Sequence, residues 1–156
     1  MPTVGEPLLA PTLTDHVPRD WHTRLPWRTS SQMYVGLLGG PVAVAAIGAI
    51  NARRLRMPAL TIPVMVLLGV TGTLAAVTAA VLIGGAAPRL LFQLAGALTA
   101  GPVIRLQRAP ERIHTTFSPN DAPDADHASL WGPGIAAIAG GWVVEALALG
   151  AAEAVA

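Results

Sequence analysis

Apolar and polar positions along the chain fall into long blocks, with neither strand alternation nor a clean helical stripe. Between Arg56 and Arg89 stand 32 consecutive uncharged residues. About 20 apolar residues are enough to carry a helix across a bilayer core. A second charge-free run covers Thr29–Ala52, with its apolar part at Tyr34–Ile50 and Arg53, Arg54 and Arg56 closing it. A third, Leu90–Ile104, places 15 residues between Arg89 and Arg105. That is about 22 Å of helix against a core of roughly 30 Å. A fourth runs from Ser129 to Ala151 and contains a single charge, Glu145. The pattern predicts an all-α integral membrane protein. We expect an antiparallel bundle of about four transmembrane helices, with spans near 32–52, 60–83, 89–106 and 129–151. The short third span either crosses with its arginines snorkelling outward or is re-entrant.

The flanking segments divide the chain in two. Residues 1–33 form a polar tail that contains Pro, Trp and Arg, with four prolines in the first 20 residues. They lack the basic start, apolar core and small-residue cleavage site of a signal peptide. Residues 34–156 form the helical membrane domain, interrupted by a polar loop at 107–128. Trp21 and Trp27, beside Arg24 and Arg28, suit the headgroup layer, as does Trp131 at the start of the fourth span.

Composition sharpens this picture. Hydrophobic residues make up 53% of the chain and charged residues only 12%, about half the usual charge of a soluble domain. The net charge of +1 gives no basis for a nucleic-acid partner. All ten basic residues are Arg and there is no Cys, so disulfides and thiolate metal sites are excluded. Six arginines flank the turns between spans 1 and 2 and between spans 3 and 4, against four on the other side. The positive-inside rule then predicts a multi-pass protein of the inner (plasma) membrane with both termini outside.

Candidate chemistry is sparse. Gly36 and Gly40 lie one turn apart and make a small-residue packing surface, as do Gly140 and Gly141. The Gly39–Gly40–Pro41 break marks a kink. Glu145 is a carboxylate within the fourth span, which makes it a functional-site hypothesis by default. Counting along antiparallel spans puts Arg89 and Gln93 at a similar depth, so Arg89, Gln93 and Glu145 are expected to form one intramembrane polar cluster. None of His16, His22, His114 and His127 has a second ligand at helical spacing. The acidic stretch Asp121, Asp124, Asp126 and His127 lacks the glycine and final Glu of a calcium loop. No phosphate-binding, dinucleotide-binding or hydrolase motif occurs. We therefore expect no metal, no cofactor and no enzyme activity. Two functional classes remain. The first is an accessory or scaffold subunit, whose partners are the lipid bilayer and either a larger membrane protein or a second copy. The alternative is a small transporter or channel that works as a homo-oligomer around Glu145.

Overall fold

The computed structural model describes residues 25–83, 88–116 and 127–155. The helical elements among them are a 3-10 turn at Thr29–Ser31, α1 (Gln32–Arg54), α2 (Thr61–Ile83), α3 (Pro88–Thr116) and α4 (Trp131–Val155). The one β-type feature among these residues is an isolated bridge between Trp27 and Ala128. Three helical stretches are long and apolar enough to cross a membrane: Thr29–Arg54, Thr61–Ile83 and Trp131–Ala154.

The first of these stretches is folded back on itself. Gln32 and Asn51 are 19 residues apart, which is about 28 Å on a straight helix. Yet both donate a hydrogen bond to the same oxygen, Gln107 Oε1, at 2.8 and 2.6 Å. The reversal occurs at Gly40, whose φ of 75° and ψ of −172° lie in a region essentially reserved for glycine. Pro41 supplies the other half of the break. It disfavours the helical region for the residue before it and has a φ suited to the first position of a new helix. Two half-helices result, 32–39 and 41–54, of about 12 and 21 Å. This corrects the expected single span 32–52: the sequence signals a kink there, and the structure has a hairpin.

Contacts along α3 confirm the direction of travel. Gly40 lies against Phe92, Gly36 against Gly96 and Ala100, and Gly48 against Val103 and Gln107. The chain therefore runs down α3 from Gln32 to the tip and back up to Asn51. The other three helices enclose this hairpin. One apolar cluster, Val44, Ala52, Met65, Ala100, Val103 and Ile104, joins its second half to α2 and α3. Another, Trp27, Val35, Ala43 and Ile47, is covered by Leu130, Ala137 and Ile138 of the α4 side.

α3 departs from expectation in the opposite sense. The charge pattern places its end near 106, with a polar loop from 107, but it continues to Thr116 through Pro102 and Pro110. Its last turns are amphipathic. Val103, Ile104 and Gln107 are buried while Arg105, Arg108 and Arg112 are exposed, an inner face at helical spacing. The prolines and charges there imitate a loop.

α2 and α4 bury little within the chain. Leu67, Leu74, Leu82, Val143 and Leu147 are among their many exposed large side chains. Contiguous exposed apolar surface on this scale marks contact with lipid or protein.

Candidate functional site

The hairpin is closed at its open end by side-chain amides. Gln32, Asn51 and Gln107 are each 0% exposed. Asn51 accepts from Trp27 N at 2.7 Å and donates from Nδ2 to Trp27 O at 3.1 Å and to Gln107 Oε1. Gln107 Nε2 donates to Gly48 O at 2.9 Å and meets Met65 Sδ at 3.6 Å. An Asn or Gln side chain carries two donors and two acceptor sites, so Gln107 alone ties both half-helices to α2 and α3. Gln32 Oε1 and Thr29 Oγ1 are buried acceptors with no partner in this network.

A short segment straps this end. Trp27 is 2% exposed, with Arg54 stacked on its ring at 3.9 Å. Arg54 also donates to Leu25 O at 2.9 Å. Ala128 N donates to Pro26 O. Glu111 Oε1 accepts from Thr29 N at 2.9 Å and sits 3.2 Å from His127 Nε2. Trp27, expected as a headgroup anchor, is thus an internal post. Trp131 is 80% exposed and remains free to contact an interface. Trp21 lies outside the described residues, as do His16, His22 and Asp121, Asp124 and Asp126.

At the other end, the Gly39–Gly40–Pro41 tip is met by a glycine from each neighbouring helix. A Cβ on Gly96 would strike the Gly36 carbonyl and the Gly40 Cα. One on Gly141 would strike the Gly39 carbonyl, one on Gly72 would strike the Thr99 hydroxyl and the Pro41 ring, and one on Gly69 would strike the Ala45 side chain beside the Pro41 carbonyl. Backbones approach this closely only where side chains are absent. The bend also leaves the last carbonyls of the first half-helix without intrahelical donors. Leu38 O is taken by Trp142 Nε1 at 2.7 Å. Gly36, Gly40 and Gly141 therefore pack internally, whereas Gly140 has open space around it.

The expected polar cluster of Arg89, Gln93 and Glu145 is not joined by hydrogen bonds or ion pairs among the described residues; Arg89 faces instead a residue the sequence did not single out. Arg89 stacks on Trp142, 4.5 Å from the ring centroid, and lies within electrostatic reach of half-buried Glu145. Gln93 is half-buried on the following turn of α3 and makes no hydrogen bond to either. The described residues contain no group of three or more His, Asp or Glu side chains placed to hold a metal ion.

The fold and its polar centre define a class: an all-helical, apolar chain built on a glycine-cradled helical hairpin. No family model, curated protein or solved structure matches it.

Proposed function

We propose that the chain is an integral membrane protein in which α2 and α4 cross the bilayer as apolar spans, α3 crosses with Arg89 and Arg105 snorkelling from the ends of its 15-residue uncharged stretch, and α1 is re-entrant. Half-helices of about 12 and 21 Å are too short to cross a core of roughly 30 Å, which supports the re-entrant reading of α1. Arginine position supports the orientation. The end holding the amide network also holds Arg28, Arg53, Arg54, Arg56, Arg105, Arg108 and Arg112, while Arg89 is at the other. Seven against one, among the described residues, favours the network end as cytoplasmic. The described N-terminal segment is then inside and the C-terminal end of α4 outside. The orientation read from the sequence assumed that α1 crosses, so the side assigned to the N-terminus changes with the hairpin.

Within that membrane we propose the role of an accessory or scaffold subunit. One observation carries it. Gly132, Ala136 and Gly140 recur every four residues on α4, all three are exposed, and a Cβ added to either glycine would meet nothing within 4 Å. Small residues at this spacing let a second transmembrane helix approach closely. The buried amides favour a static role: they hold one another and line no open path.

The test is mass spectrometry of the complex extracted in mild detergent. A stoichiometric larger membrane partner is expected, lost in Gly140→Leu with the helix content unchanged. Gly141→Leu, by contrast, should disrupt the fold itself. Retention of the partner by Gly140→Leu would remove this reading. The grouping of Arg89, Trp142 and Glu145 favours a second reading, a homo-oligomeric transporter or channel around Glu145. That reading requires solute flux in proteoliposomes that is lost in Glu145→Leu.

A further inference from the structure

On the free face of α3 a row of leucines gives way to a row of arginines. Leu90, Leu94 and Leu98 are 54%, 51% and 78% exposed, and Arg105, Arg108 and Arg112 further along are exposed as well. At 3.6 residues per turn these six side chains fall within about 80° of one another, so they make one stripe. The other side of the helix takes Val103, Ile104 and Gln107 into the core. Among the described residues, no ion pair, hydrogen bond or ring contact engages the guanidinium groups of Arg105, Arg108 or Arg112. Glu111, on the same turns, has its carboxylate engaged by Thr29 N and His127 instead. The three arginines cover about 10 Å of the helix axis, close to the roughly 5–8 Å of one headgroup layer.

We propose that this stripe binds anionic phospholipid of the leaflet at the arginine-bearing end, with phosphate groups at Arg105, Arg108 and Arg112 and an acyl chain along Leu94 and Leu98. The inference rests on the membrane reading above. A phospholipid carries its phosphate directly above an apolar chain, the order in which the stripe presents arginine and leucine. An acidic protein segment would satisfy the arginines and leave the leucines unmatched. Three cations with no acid beside them favour a head of net negative charge over a zwitterionic one. The planar guanidinium group also grips two phosphate oxygens at once.

The probes are palmitoyl-oleoyl phosphatidylglycerol, the phosphatidylcholine of the same chains, and glycerophosphoglycerol, the headgroup without chains. Each is added to delipidated full-length protein in detergent, and bound molecules are counted by native mass spectrometry. Phosphatidylglycerol is expected to bind more strongly than phosphatidylcholine, by a margin that shrinks as salt screens exposed charges. Arg105→Gln, Arg108→Gln and Arg112→Gln should each weaken phosphatidylglycerol about fivefold, the effect of one basic side chain at an anionic surface. The triple variant should bind the two lipids equally. Glutamine is a good helix former and the sites are exposed, so the variants keep their helix content by circular dichroism. The chain-free headgroup should not bind. Equal binding of the two lipids by the wild type, a preference kept by the folded triple variant, or headgroup binding as strong as that of the lipid would overturn the proposal. So would loss of a copurifying acidic protein, with lipid preference intact, in the triple variant. A protein that needs detergent to stay folded yet shows no such preference fails this inference alone. One that stays folded and monomeric in detergent-free buffer fails the membrane reading itself.

Discussion

Gly40 and Arg56 are the two described residues with positive φ, and they have opposite fitness for it. Gly40 occupies a region that a Cβ all but forbids, so Gly40→Ala should cost about 1–3 kcal/mol. Arg56, at φ 52°, closes α1. Met57 N bonds Ala52 O and Arg56 N bonds Arg53 O, the pairing in which glycine is the usual left-handed residue. Arg56→Gly would relieve about 1 kcal/mol of backbone strain while losing the interaction that the Arg56 side chain makes, so thermal unfolding in detergent should shift less than for Gly40→Ala. Asn51 carries more than either. Asn51→Ala strands the Trp27 amide and carbonyl in the interior, and each buried orphan costs about 1–3 kcal/mol. A loss of about 2–4 kcal/mol in the same unfolding assay is expected; a loss below about 0.5 kcal/mol would show that the network is not holding the hairpin. Asn51 and Gln107 are hard to pick out in the sequence because single amides near basic clusters look like ordinary span boundaries. A signal is there all the same: each interrupts an apolar face at the depth where α1 begins and ends.

At the scale of elements, the sequence discloses composition better than direction. Charge-free runs locate α2 and α4 to within a few residues, because lipid-compatible helices leave no room for ionised groups. The same rule misreads α1. A run of uninterrupted apolar residues measures contour length, whereas crossing a membrane requires end-to-end length, and Gly40–Pro41 separates the two. Arg89 and Glu145 are brought near each other by simple counting along antiparallel helices. Trp142, which joins them to the hairpin, is hidden because a tryptophan within a span looks like lipid-facing bulk. Its indole captures the Leu38 carbonyl that the bend sets free. Trp142→Phe keeps an aromatic ring, though a smaller one, and removes the donor, so it should lower stability by about 1–2 kcal/mol. Trp142→Phe with unchanged stability would mean that the carbonyl has another donor.

For the molecule as a whole, on the proposed membrane reading, the hairpin decides how many times the chain crosses and which end lies where. If α1 turns back, Ser30 and Ala59 share one face of the membrane and Glu153 lies on the other. All three positions are exposed, and the chain has no native cysteine. Single cysteines at these positions, labelled with a membrane-impermeant maleimide before and after permeabilising cells, report the sidedness directly. Ser30→Cys and Ala59→Cys should both stay unlabelled until permeabilisation, while Glu153→Cys labels from outside. Labelling of Ser30→Cys and Ala59→Cys from opposite sides would mean that α1 crosses as a single span.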